Sequence, residues 1–143
     1  MSNMTVLDVG SATGFFAFEF EKRGAQVTSV DIPSLTDWDM PGYNREQEFS
    51  ELMKYYPAAN LEELCYLQFD GPFRFCYERM RSKVARHYST IYNLASGELK
   101  KQQFDLVFLG YILPHLFSPL HALNAVTQLC GDRLIIFQGV GWR

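Results

Sequence analysis

Apolar and polar positions follow two different periods along this chain. Met4-Thr5-Val6-Leu7-Asp8-Val9 is a short apolar run closed by Gly10, the pattern of a buried strand. From Thr13 to Arg23 the apolar residues come first and the charges later, and Gly24 stands where a helix of about three turns would stop. Ala25-Gln26-Val27-Thr28-Ser29-Val30 is a second strand pattern, closed by Asp31. Strand, glycine turn, helix and strand within about 30 residues predict a βαβ unit.

From Ile32 to Gly71 the pattern weakens, punctuated by Pro33, Pro41, Gly42, Pro57, Gly71 and Pro72, so an insertion spanning about 33–72 is expected. Within it, Asn44–Tyr56 and Asn60–Leu67 read as short helices, each with Asn at the N-cap. Phe73–His87 reads as a longer helix, because Cys76, Met80 and Val84 recur four apart. Tyr88–Leu94 is predicted as the third strand, and Phe104–Leu109 as the fourth, ending at Gly110. Ser118 and Pro119 mark the start of a last helix with Leu120, Leu123, Val126 and Leu129 as its buried stripe and Gly131 as its end. Leu134-Ile135-Ile136-Phe137 is a fifth strand. The alternation predicts one α/β domain over 1–143, doubly wound around a mostly parallel sheet.

Composition narrows the function classes. The chain has 143 residues, 48% of them hydrophobic and 20% charged, which supplies a core and excludes a disordered chain. A net charge of −3 argues against a dedicated nucleic-acid coat, while leaving room for a local basic patch. Cys65, Cys76 and Cys130 are odd in number and form no CxxC, so neither a disulfide framework nor a zinc site is expected. No histidine–carboxylate pair has metal-ligand spacing. Without a run of about 18 apolar residues or a signal peptide, the reading is a cytoplasmic protein with no membrane span.

In a doubly wound sheet, ligands bind beyond the carboxyl ends of the strands, where strand order reverses. The first strand leaves through Asp8-Val9-Gly10-Ser11-Ala12-Thr13-Gly14, whose glycines allow a sharp turn and a close backbone approach to a ligand. A phosphate-binding P-loop is ruled out because no Lys follows. A dinucleotide fingerprint, and with it a nicotinamide-dependent oxidoreductase, would need glycine at Ala12 and Phe15.

The stretch from Val6 to Phe16 resembles the first motif, D/ExGxGxG, of the class I S-adenosylmethionine-dependent methyltransferases, departing from it at Ala12. Asp31, 17 residues beyond Gly14, stands where a carboxylate can accept both ribose hydroxyls. Phe104–Tyr111, continued by Ile112-Leu113-Pro114-His115, resembles the family's FDxVxxxxxLxH segment. The resemblance implies a Rossmann-like methyltransferase fold that binds S-adenosylmethionine. Asp8 would orient the methionine end; Gly10, Ser11, Ala12, Gly14 and Phe15 would form the turn against the cofactor. Ile32 would cover the adenine, Asn93 and Leu94 would stand where many members carry an adenine-binding Asp, and Gly110 would lie near the methionine end. Tyr111 and His115 would face the transfer site and its acceptor.

Short pieces, Trp38, Ser82-Lys83-Val84, Ile91–Leu94 and His115–Leu123, resemble a sub-group that includes the tRNA wobble-uridine carboxymethyl-transferring enzymes. The acceptor is left as a small molecule or RNA. His115 is either a general base or a histidine that packs a loop. Arg74, Arg79, Arg81, Lys83 and Arg86 form the one basic concentration, either an anion-binding surface or the solvated face of a helix. Trp38, Tyr43, Tyr55 and Tyr56 are candidates to line or cover an acceptor pocket.

Family members usually carry a leading helix and two further strands. The expectation is therefore a fold truncated after its fifth strand, whose exposed edge invites a homo-oligomer or a partner. The alternative function is accordingly a methyltransferase-like module that binds a cofactor or a partner without catalysis.

Overall fold

The computed structural model describes residues 1–39 and 44–139, with the side chains of Arg45 and Glu46 excepted. Tyr43, a candidate for the acceptor pocket, lies outside the described residues. The first unit is β1 (Thr5–Val9), α1 (Phe15–Lys22) and β2 (Gln26–Asp31), as the apolar run, the amphipathic stretch and the second run predict. After it come α2 (Arg45–Met53), α3 (Leu61–Cys65) and α4 (Gly71–Met80), then β3 (Ala85–Tyr88), β4 (Phe104–Gly110), α5 (Pro119–Thr127) and β5 (Cys130–Phe137). All strand pairs are parallel, in the order β3-β2-β1-β4-β5. The chain winds outward from β1 to β3 and then returns to β4, so strand order reverses between β1 and β4.

Period-2 alternation sorts the sheet residues between two apolar layers. On one face Val6, Val27 and Leu106 pack with Ala17 and Phe18 of α1 and Phe73 of α4. On the other, Leu7, Val9, Val30, Val107 and Leu109 pack with Ala122, Val126 and Leu129. The inserted segment has its own small core of Leu35, Phe49 and Leu64. Asn44 and Asn60 cap α2 and α3 as expected, accepting from the N–H groups of Gln47 and Glu63. Among the described residues no helix is long and apolar enough to cross a membrane.

Several expected boundaries are corrected. The helix expected over 73–87 stops at Met80, because Arg81 takes a left-handed conformation (φ 52°) and the Ser82 N–H returns to the Tyr77 carbonyl at 2.9 Å. Residues 85–88 are therefore the third strand, and Ile91–Asn93, expected within it, is a short 3-10 turn. Gly71 and Pro72 do not break the chain direction. A π turn over Tyr66–Asp70 joins α3 to α4, and its wider loop accommodates a proline that lacks an N–H.

The last helix is rotated from its expected phase. Leu120 is 79% exposed, and the buried face is Ala122, Ala125 and Val126, with the buried Leu129 just beyond the helix end. Gly131 does not end that helix but lies in β5, which starts at Cys130 rather than Leu134.

Candidate functional site

Beyond Val9 the chain turns at Gly10, where φ is +74° and where an added Cβ would sit 2.7 Å from Ile112 Cδ1. The Gly10 and Ser11 N–H groups both donate to the Val30 carbonyl, at 2.9 and 3.1 Å, which ties the turn to β2. Ala12, at the position of the motif's middle glycine, is also left-handed, with φ 47°. Gly14, at φ +85°, caps α1, and a Cβ there would meet Phe73 at 2.6 Å. The glycine turn is thus a conformational necessity at each end.

Asp31 is the last residue of β2 and faces this turn. Its Oδ2 accepts from the Ala12 N–H at 2.5 Å and its Oδ1 from the Ile32 N–H at 2.8 Å. Burial raises its pKa above the ordinary value, while the Arg86 guanidinium and the two backbone donors pull it down. Each carboxylate oxygen retains a lone pair for a further donor.

A cavity of about 250 Å³ opens over the carboxyl ends of the strands. Gly10, Ala12, Asp31 and Ile32 line one side of it, and Gly110, Tyr111 and His115 another. Tyr111 is held in a left-handed conformation, φ 60°, immediately after β4. These seven residues of the sequence reading come together in space.

The others stand elsewhere, for physical reasons. Asp8 points into the α1 face of the sheet, 1% exposed, where burial and the nearby Asp31 push its pKa up to about 7. It accepts a hydrogen bond from the Ala17 backbone, and its Oδ2 has no partner. Ser11 turns away from the cavity to meet Ser29 Oγ at 2.7 Å. Phe15 is 65% exposed on α1, and Gly14 is filled against Phe73 and Phe18. Asn93 and Leu94 do not line the cavity: with β3 ending at Tyr88, they fall on the 3-10 turn and just after it, Asn93 exposed and Leu94 in the core.

Thr90, Ile91 and Tyr92 occupy that side of the cavity instead. They are the residues that follow the true end of β3, so a correct strand boundary would have found them. Asp37, Trp38 and Asp39 contribute from the inserted segment, and Phe69 from the π turn. Of the aromatic candidates in that segment, Trp38 lines the cavity, 6.0 Å from the His115 ring and 6.5 Å from Phe69. Tyr55 is 80% exposed, and Tyr56 packs on the insertion's own core. Tyr92 donates to Asp39 Oδ2 at 2.7 Å and accepts from the Ser118 N–H at 3.2 Å; burial and Asp39 raise its pKa, so the phenol keeps its proton.

The basic run divides as well. Arg74, Arg79, Arg81 and Lys83 are exposed, whereas the Arg86 side chain is 9% exposed and lies behind the glycine turn. Its Nη1 donates to Ser11 Oγ at 2.6 Å and to Ser29 Oγ at 3.0 Å, and its Nη2 to the Ala12 carbonyl at 3.3 Å. Asp31 and Asp70 lie 3.7 and 3.6 Å from Nη2.

No protein-family model and no curated sequence matches the chain. Solved structures do. A methyltransferase dependent on S-adenosylmethionine from Aquifex aeolicus superposes with a TM-score of 0.58 at 17% identity, over 94% of this chain and 56% of that one. The magnesium protoporphyrin IX methyltransferase of Synechocystis PCC 6803, solved with bound S-adenosylmethionine, gives 0.59 at 13% identity, over 94% and 49%.

The fold is that of the class I methyltransferases. The [4+2]-cyclase SpnF shares it as well, with a TM-score of 0.59 at 15% identity, over 94% of this chain and 38% of that one. The methyltransferase fold therefore does not fix the reaction. The chain spans between 38% and 56% of the length of these three proteins.

Proposed function

We propose that this chain binds S-adenosylmethionine in the cavity over β1, β2 and β3 and belongs to a methyltransferase acting on a small-molecule or RNA acceptor. The observation that carries the reading is Asp31: a part-buried carboxylate at the end of β2, held by the Ala12 and Ile32 N–H groups and lining the cavity. The residues present fit an adenosyl group. Asp31 has acceptor capacity left for ribose hydroxyls, Ile32 offers an apolar surface for a base, and the glycine turn brings backbone close to the ligand.

When bound, the sulfonium supplies an activated methyl group, so the protein's contribution is orientation and the exclusion of water. Gly110, Tyr111 and His115 form the end of the cavity toward β4, and Trp38 closes over His115. An acceptor nucleophile would be positioned there, and His115 is placed to take its proton where it carries one. Ile112, packed on Gly10, has to yield for a ligand to rest directly on the turn.

Titration calorimetry with S-adenosylhomocysteine tests the reading. Saturable binding is expected, and the absence of heat from well-folded protein overturns it.

A further inference from the structure

Asp8, Ser29 and Arg86 occupy one register row across β1, β2 and β3, on the α1 face of the sheet. Apolar side chains fill that layer farther down. A guanidinium at this depth is costly unless its donors are met. Here the two terminal nitrogens are met mainly by the turn that leaves β1, through Ser11 Oγ, the Ala12 carbonyl, and Ser29 Oγ beneath them, while Nε is buried without a partner. The Arg86 Cζ lies over the Phe73 ring, 4.4 Å from its centroid, and 5.4 Å from the Tyr88 ring centroid.

We propose that Arg86 is the positioning residue of the donor site: it holds the turn through Ser11 Oγ and the carbonyl of the left-handed Ala12, and sets its charge 3.7 Å from the Asp31 carboxylate that faces the cavity. The inference rests on the reading of that cavity as the adenosyl site. The planar fork divides these contacts between two fixed nitrogens, Nη1 to Ser11 and Ser29 and Nη2 to the Ala12 carbonyl, a spread that a single ammonium nitrogen lacks. Asp31 needs the compensation. Burial raises its pKa, and Asp8, Asp70, Cys65 and Tyr88 stand around it, with Arg86 as the cation that opposes them. Without Arg86 the carboxyl would hold its proton to higher pH and lose acceptor capacity for a ribose hydroxyl.

Arg86→Met and Arg86→Lys test this, with the dissociation constant of S-adenosylhomocysteine measured from pH 6 to pH 9 and amide exchange followed at Ala12. Folded Arg86→Met should bind about 10- to 100-fold more weakly, the worth of a charge-assisted contact. Its affinity should recover as pH rises, and its Ala12 amide should exchange at least about tenfold faster. Arg86→Lys should fall between, with the wild-type pH profile, because the charge survives and the fork does not. Wild-type affinity, pH profile and exchange in folded Arg86→Met overturn the proposal. Should that variant fail to fold, wild-type behaviour of Arg86→Lys overturns it instead. If the wild-type protein itself binds no S-adenosylhomocysteine, the reading of the cavity fails, and unchanged Ala12 exchange in the variants then overturns the positioning role separately.

Discussion

The Ala12 N–H donates to Asp31 Oδ2 across 2.5 Å, so the acid that ends β2 also holds the turn that leaves β1. One carboxylate thus joins the fold to the ligand site. Asp31→Asn keeps the shape but sets an amide NH₂ against one of two backbone donors. It should cost about 1–3 kcal/mol of stability, the penalty for an unmet buried donor. It should also weaken S-adenosylhomocysteine at least about tenfold. Urea unfolding and calorimetry on the same preparation read the two effects. A variant as stable and as tight as wild type would show that Asp31 does neither.

Gly10 should tolerate no side chain while Ile112 keeps its place. Gly10→Ala meets both a left-handed φ of +74° and Ile112 Cδ1 at 2.7 Å. The conformational part costs about 1–2 kcal/mol and the overlap about 1–3 kcal/mol. Combining it with Ile112→Ala should recover the overlap and leave the conformational part. A double-mutant cycle by chemical denaturation gives that coupling, and strict additivity of the two changes would exclude the contact as its source.

How much of this was legible from sequence follows the physics of each signal. The first βαβ unit was readable because its strands are apolar runs, its turn is glycine-rich and its helix is long enough to show a period. Asp31 was readable as the polar residue closing a buried strand. The third strand was not. Its residues Ala85, Arg86, His87 and Tyr88 are more polar than a buried strand should be, and the helix before it stops at Arg81, where no glycine announces a left-handed residue. The misplaced strand carried Asn93 and Leu94 into the expected site and left out Thr90, Ile91 and Tyr92. Arg86 was hidden by the same error, since on a helix it reads as solvated charge. Only the pairing of β2 with β3, which is non-local, puts it beside Ser29.

The phase of α5 yields a contrast between two leucines nine residues apart. Leu120 is 79% exposed and Leu129 1% exposed, although both fit the apolar stripe read from spacing. Leu129→Ala should cost about 2–5 kcal/mol as a core truncation. Leu120→Ala should stay within about 0.5 kcal/mol, as surface changes do. Thermal unfolding of the two single variants distinguishes the observed phase from the stripe expected from spacing, in which the losses would be equal.

Asp8 should make stability fall as pH rises. Its folded pKa, about 7, lies above the ordinary value of 3.8, because the carboxyl is desolvated beside Asp31 with one oxygen unpartnered. Between those values the folded state binds more protons than the unfolded chain, so its stabilisation is complete below about pH 4 and is lost on the way to pH 7. The shift sets an upper bound of ~4 kcal/mol on the effect. Asp8→Asn keeps an acceptor for the Ala17 N–H and cannot ionise. It should therefore match the wild type in relative stability near pH 4 and gain on it steadily toward pH 8. Urea midpoints for both proteins at pH 4, 6 and 8 give the difference directly. Parallel pH profiles would mean that Asp8 is ionised in the folded protein throughout, with water or a ligand group on its free oxygen.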